Sequence, residues 1–140
     1  MTETIHVDIV SAEGEIFAGE AKMVFLPAAE GEIGVAPRHA PLLTLLKAGE
    51  VRVQPVEGAE QSFYVGGGAL EVQPRKVTVL ADTALRAADL DEAAAMAARQ
   101  RAEEALAGKI DKIEQAEALA ELARAAAQLK LIQRLRKIRG

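Results

Sequence analysis

KVTVLADTALRAADLDEAAAM, residues 76–96, contains two kinds of local order, and the change between them decides the fold. KVTVLAD reads as a short strand. Near Asp89 the period changes: Asp89 can cap a helix N-terminus, and Glu92 three residues on completes a D-x-x-E capping box. Everything before this point carries strand signals, and everything after it carries helix signals. In the first half IHVDIVS alternates, with Ile5, Val7 and Ile9 set against His6, Asp8 and Val10. KMVFLPA, GEIGVAP, LLTLL, GEVRVQP, QSFYVGG and ALEVQP follow at short spacing, parted by Gly, Pro or acidic turn residues. Such spacing predicts a sandwich or barrel. EGEIGVAPRHAPLL, with Gly34, Pro37 and Pro41, reads as a structured loop or edge.

In the second half a helix runs from Asp89 to about Leu106, and Gly108 suits a left-handed position just past its end. Asp111 with Glu114 repeats the capping box and starts a second helix reaching about Ile138. A short connection makes the two helices antiparallel neighbours. Seventeen of the 41 residues from 87 to 127 are Ala. Alanine is the best helix former, so each helix is locally secure. It also buries little, roughly 0.8 kcal/mol per methyl against about 1.5–3 for a leucine. Leu90, Leu106, Leu119, Leu122 and Leu129 are the candidates for larger contacts. These are helices that hold their own shape but attach weakly, which suits a moving element; a static, close-packed hairpin is the alternative reading.

Charge is unevenly spread over the 140 residues, whose net charge is −4. Residues 124–140 hold Arg124, Lys130, Arg134, Arg136, Lys137 and Arg139 and no acid. Bases at a helix C-terminus favour the helix dipole, but six exceed that need. An acidic protein surface that receives this end is the functional reading, and a solvated face the plain one. Leu131, Leu135 and Ile138 form an apolar stripe among these bases, rotated from the Leu119, Leu122 and Leu129 stripe.

A search for chemistry finds little. There is no cysteine, and His6 and His39 are the only histidines, so disulfides and thiolate metal sites are excluded and a histidine-based metal site is disfavoured. The chain has three Phe, one Tyr and no Trp, too few rings for a protein that stacks nucleic-acid bases. Gly66-Gly67-Gly68 lies between two strand-like segments rather than between a strand and a helix, which makes it a strand crossing or bulge and not a phosphate loop. Ser11 and Ser62 have no nucleophile motif around them. Glu30 and Glu32 read as exposed turn acids, and His39 as a structural residue in a proline-bounded turn. The N-terminus has neither a basic start nor an apolar stretch long enough for a signal peptide, and no run approaches the roughly 20 apolar residues that span a bilayer. A soluble, cytoplasmic protein is the expectation, touching a membrane only through a partner.

VDIVSAEGEIFAG at 7–19, EGEIGVAPRHAPLLT at 30–44, GGALEVQP at 67–74, VTVLADTA at 77–84, DLDEAAAM at 89–96 and AELARAAAQLKLI at 120–132 together resemble the epsilon subunit family of the bacterial rotary ATP synthase. The resemblance covers nearly the whole chain. It implies a β + α fold, a ten-stranded β-sandwich over residues 1–86 followed by an antiparallel helical hairpin over 89–138. It implies a non-catalytic place in the central stalk, with the gamma subunit, the c-subunit ring and the beta and alpha subunits as partners. No nucleic acid, cofactor or metal is implied, and the location is the cytoplasmic face of the bacterial inner membrane. The sandwich would touch gamma and the c-ring, with Glu32 as the c-ring carboxylate and His39 and Pro41 shaping its loop. The hairpin would be a brake on ATP hydrolysis when extended, Arg124, Lys130, Arg134, Arg136, Lys137 and Arg139 meeting beta and gamma. Some members of the family bind ATP on the folded hairpin. The residues that correspond are Asp91, Arg101 and Arg124, but Ala94 stands where the motif has Arg, so ATP binding should be weak or absent. A static interaction adapter and a nucleotide-sensing module are the competing functions.

Overall fold

The computed structural model describes residues 3–139, the side chain of Arg139 excepted. The chain divides into two compact units, Met1–Ala87 and Ala88–Gly140.

Among the described residues the first unit has eight strands: β1 Ile5–Ser11, β2 Gly14–Ala21, β3 Met23–Ala28, β4 Gly31–Val35, β5 Leu42–Gln54, β6 Gln61–Gln73, β7 Lys76–Ala81 and β8 Ala84–Arg86. They are hydrogen-bonded in the order β2-β1-β7-β6-β5-β3-β4, with β8 also on β6. The resemblance implied ten strands, and the difference lies in β5 and β6. LLTLL and GEVRVQ are one strand of 13 residues, and so are QSFYVGG and ALEVQ. Each of these long strands serves both layers of the sandwich. Leu42–Leu46 pairs with Gly68–Val72, and that half of β6 continues to β7, β1 and β2. Gly49–Val53 pairs with Gln61–Val65, beside β3, β4 and β8.

The inward phase reverses where the layers join. In β6 the buried residues Phe63 and Val65 give way to Leu70 and Val72. In β5 Leu46 gives way to Val51 and Val53. Side chains alternate strictly along a strand, so a change of parity needs an irregularity. In β6, Gly67 and Gly68 supply it, at φ 106° and 138°. Both layers then face one core, in which Ile5, Val7, Ile9, Val77 and Val79 meet Val24, Leu26, Val35, Val51 and Phe63. EGEIGVAPRHAPLL is edge strand in its first half, since Gly31–Val35 is β4 at the end of the order.

The second unit is a helical hairpin of α1, Glu92–Ala107, and α2, Lys112–Arg139. Its first cap lies two residues later than the capping-box pattern placed it. Ala87–Asp89 forms a 3₁₀ turn, and Asp91 is the residue whose side chain accepts from the Ala94 N–H at 3.1 Å. The second box is where the pattern puts it, with Asp111 Oδ1 accepting from the Glu114 N–H at 2.8 Å. Gly108 is extended (φ −90°, ψ 179°) rather than left-handed, and its N–H bonds back to the Ala105 carbonyl. The buried side chains of the hairpin are mostly alanines: Ala95 and Ala102 on α1, and Ala118 and Ala125 on α2, with Leu129 and Leu131. Leu119, expected to make a larger contact, is half exposed.

Candidate interaction sites

Glu32 is the second residue of β4, opposite Pro27 of β3. Its side chain is exposed, and its Oε1 accepts from Arg52 Nη2 at 3.2 Å. His39 and Pro41 lie beyond the other end of β4, in the connection to β5. His39 Nδ1 bonds the Ala40 carbonyl at 2.7 Å, and its N–H donates to the Ala36 carbonyl. Arg38 beside it takes a left-handed conformation (φ 69°), its N–H donates to the Pro74 carbonyl, and its guanidinium pairs with Glu3 at 2.6 Å. Glu32 and His39 are therefore held by separate partners at opposite ends of one strand. This agrees with a structural role for His39 within the loop.

The six bases of α2 do not form one face. At 3.6 residues per turn, Lys130, Arg134 and Lys137 fall in one stripe. Arg136 instead continues the row of Ala118, Ala125 and Leu129, and its Nη2 reaches Glu92 Oε2 on α1 at 2.9 Å. Arg124 is half buried. The Arg139 side chain lies outside the described residues. A second bridge, Arg101 Nη2 to Glu121 Oε1 at 3.4 Å, joins the helices nearer the turn. Both bridges are exposed pairs, worth about 0–1 kcal/mol each.

Two of the three nucleotide candidates, Asp91 and Arg101, are engaged elsewhere. The Asp91 carboxylate caps α1, Arg101 pairs with Glu121, and the ten residues between Asp91 and Arg101 span roughly 15 Å of helix. Arg124 lies one turn along α2 from Glu121, on the Arg101 level. The structure pairs Arg101 with Glu121, three residues before Arg124, and leaves Asp91 apart as the cap of α1. Among the described residues no three His, Asp or Glu side chains are grouped to hold a metal ion. A shallow groove along α1 is lined by Ala93, Met96, Ala97, Arg99, Gln100 and Glu103, and its two charged groups, Arg99 and Glu103, pair with each other at 3.7 Å.

One surface was not read from the sequence. Leu45, Ala69, Leu80 and Val10 are successive register partners across β5, β6, β7 and β1. All four point away from the core, opposite in phase to the buried residues of their strands. Leu45 is 66% exposed and Leu80 55% exposed, and Leu43 beside them is 76% exposed. An apolar row running across four strands on a polar phase is the mark of an interaction surface. The available signal was an apolar residue out of step with its own strand: Leu80 between Val79 and Ala81, and Val10 between Ile9 and Ser11.

The row is bordered by a charged cluster. His6 Nδ1 lies 2.7 Å from Glu20 Oε2, and His6 Nε2 lies 2.8 Å from Asp8 Oδ1. Lys76 Nζ also reaches Asp8, at 3.2 Å, and Thr4 donates to Glu20 at 2.8 Å. The bonds to Glu20 and then Asp8 raise the His6 pKa above its ordinary value. Burial pushes the Asp8 carboxyl up, but bonds from His6 and Lys76 outweigh it and hold it below the usual range. Bonds from His6 and Thr4 lower Glu20. The two carboxylates take opposite ring nitrogens, so the three side chains form a linear charge relay of contacts rather than a metal cradle.

Comparison with known proteins agrees with this architecture. The family model described as the beta-sandwich domain of the ATP synthase delta/epsilon chain matches residues 4–87, and that of its long alpha-helix domain matches residues 88–133. The ATP synthase epsilon chain of Nitrosococcus oceani is 65% identical over 140 residues, all of both chains. That of Alkalilimnicola ehrlichii is 63% identical over 134 residues, 96% of each. Among solved structures, a chain of the Euglena gracilis mitochondrial ATP synthase shares the fold at TM-score 0.70 and 17% identity, with 98% of this chain and 82% of that chain covered.

Proposed function

The chain belongs to the ATP synthase delta/epsilon chain family, and from this we infer that it couples rotation of a c-ring to ATP synthesis and brakes ATP hydrolysis. It is a structural and regulatory subunit, not a catalytic one. Its place is the central stalk, on the cytoplasmic face of a bacterial inner membrane, held there by its partners. No helix among the described residues is long and apolar enough to cross a bilayer.

The first unit makes the standing contacts. The apolar row of Leu45, Ala69, Leu80 and Val10 is the surface that gamma covers, since a row of this kind gains most from losing water. Glu32, exposed on an edge strand, faces the c-ring, and the loop with His39 and Pro41 holds the neighbouring backbone in shape.

The hairpin is the brake, and the observation that carries this is its seam. Ala95 and Ala102 on α1, with Ala118 and Ala125 on α2, bring the helices close while burying about one methyl each. Exposed ion pairs, Arg101–Glu121 and Arg136–Glu92, tie the helices across it. Each helix keeps its own hydrogen bonds when the seam opens, so the folded hairpin can be left without unfolding either helix. Opening frees Arg136 from Glu92, so that α2 offers it on one face and the Lys130, Arg134 and Lys137 stripe on another to an acidic surface of beta. Partners shift this equilibrium by preferring one form. Nucleotide is not among the biasing ligands: Asp91 caps α1, Arg101 is paired, and Ala94 offers no cation.

Truncation after Ala88 in the assembled synthase tests the reading. Proton pumping per ATP should persist while the hydrolysis rate rises. Unchanged hydrolysis removes the brake from the assignment, and lost pumping removes the coupling role of the first unit.

A further inference from the structure

Arg52 of β5 stands opposite Phe25 of β3, and Phe25 stands opposite Gly34 of β4. A Cβ on Gly34 would lie 2.7 Å from Met23 Cε and 3.1 Å from Phe25 Cε1, so the missing side chain is what lets the Phe25 ring lie over the edge strand. The Arg52 guanidinium sits on that ring, 4.4 Å from its centroid, in cation–π contact. From there Nη2 reaches Glu32 Oε1 at 3.2 Å, and Nη1 lies 3.8 Å from Glu60 Oε2. Gln54 Nε2 steadies Glu60 with a 3.1 Å bond. The Arg52 side chain is 24% exposed and that of Glu32 57%, so a half-buried, well-held cation grips one oxygen of a surface carboxylate.

We propose that Arg52 is the positioning residue for Glu32, fixing its carboxylate on the Phe25 platform so that Oε2 is presented to a hydrogen-bond donor on the c-ring. The proposal rests on the reading of Glu32 as the c-ring contact. An unheld glutamate loses rotamer freedom on binding; one already held by Arg52 has less to lose. Lysine at 52 would keep the charge but neither the flat stack nor the fork.

The test uses the full chain and synthase complexes stripped of this subunit, reading binding affinity and proton pumping per ATP. Glu32→Gln and Arg52→Met should each weaken binding by roughly 1.4- to fivefold, the range of an exposed charge pair. The double variant should be no weaker than Glu32→Gln, and Arg52→Lys should not rescue. Phe25→Leu, which removes the platform and leaves the charge, should weaken binding only when Glu32 is present. It serves in place of Arg52→Met should that variant lose its cooperative melting transition. If Arg52→Met weakens binding further in the Glu32→Gln background, Arg52 acts independently and the proposal is overturned. If Glu32→Gln weakens binding and neither Arg52→Met nor Phe25→Leu does, positioning is overturned while the Glu32 contact stands. If Glu32→Gln has no effect, the Glu32 contact itself falls and the proposal falls with it.

Discussion

Gly68 shows how much of this fold rests on single residues. It sits at φ 138°, and a Cβ there would collide with the Leu80 carbonyl of β7. The obstacle is backbone, so β6 and β7 must part to admit it. Gly68→Ala should cost at least about 3 kcal/mol, at the severe end for single substitutions, read as a lower denaturation midpoint of the first unit. The glycine run announced an irregularity in the sequence; that it joins two layers within one strand was not legible, because the pattern does not record which neighbours flank it. His6 gives a milder effect that depends on pH. Its raised pKa means that its contribution is fully present below the ordinary value of 6.5 and lost as pH rises through the higher folded value. The lowered Asp8 and Glu20 contribute above their ordinary values of 3.8 and 4.5, and that contribution is lost as pH falls through their lower folded ones. The cluster therefore stabilises most between about pH 4.5 and 6.5. His6→Gln should destabilise the chain more at pH 6 than at pH 9, by roughly 0.2–1 kcal/mol because the pair is part exposed. Denaturant titrations at the two pH values measure it, and equal losses would mean the ring acts only as a neutral hydrogen-bonding group.

At the scale of elements, most boundaries were legible and the exceptions have causes. The Asp111–Glu114 box starts α2 as the pattern implies. The same pattern at Asp89–Glu92 is shifted because two aspartates stand two apart, and spacing alone does not say which one caps. Asp91 does, once Ala87–Asp89 has taken a 3₁₀ turn. Asp91→Ala should therefore cost about 1 kcal/mol of hairpin stability, visible as lost helicity on heating, whereas Asp89→Ala should cost little. The alanine seam was legible as composition but not as geometry. Ala95 and Ala102 are seven apart, as are Ala118 and Ala125, so each pair returns to the same helix face; of the leucines that looked like the anchors Leu129 is buried, while Leu90, Leu106 and Leu122 are half buried and Leu119 is exposed. A larger side chain in this seam has nowhere to go. Ala102→Leu should overpack it by about 1–3 kcal/mol and favour the open hairpin, measured by distances between spin labels on the exposed faces of α1 and α2.

For the whole molecule, charge placement links the fold to its control. The sequence legibly concentrates bases near the C-terminus, but only the antiparallel pairing divides them, leaving Arg136 on Glu92 and Lys130, Arg134 and Lys137 in a separate stripe. The outward apolar row was equally hidden, since Val10, Leu45, Ala69 and Leu80 become neighbours only through strand register. The Arg136–Glu92 bridge exists only in the folded hairpin, so it biases the equilibrium towards the form that permits hydrolysis. Glu92→Gln removes the ion pair without touching any base of the brake. An exposed pair is worth about 0.2–1 kcal/mol, which raises the ratio of extended to folded hairpin by roughly 1.4- to fivefold. Synthase carrying Glu92→Gln should hydrolyse ATP more slowly than wild type at low ionic strength. Added salt weakens both this bridge and the proposed contact between the basic stripe and an acidic receiver, so absolute rates mix two effects. The ratio of variant to wild type separates them, because the receiver contact is common to both proteins. That ratio should start below one and rise towards one as salt screens the bridge. A ratio of one at low salt, or a variant that is faster, would mean that the seam alone holds the folded hairpin and that Arg136 has no part in setting the brake.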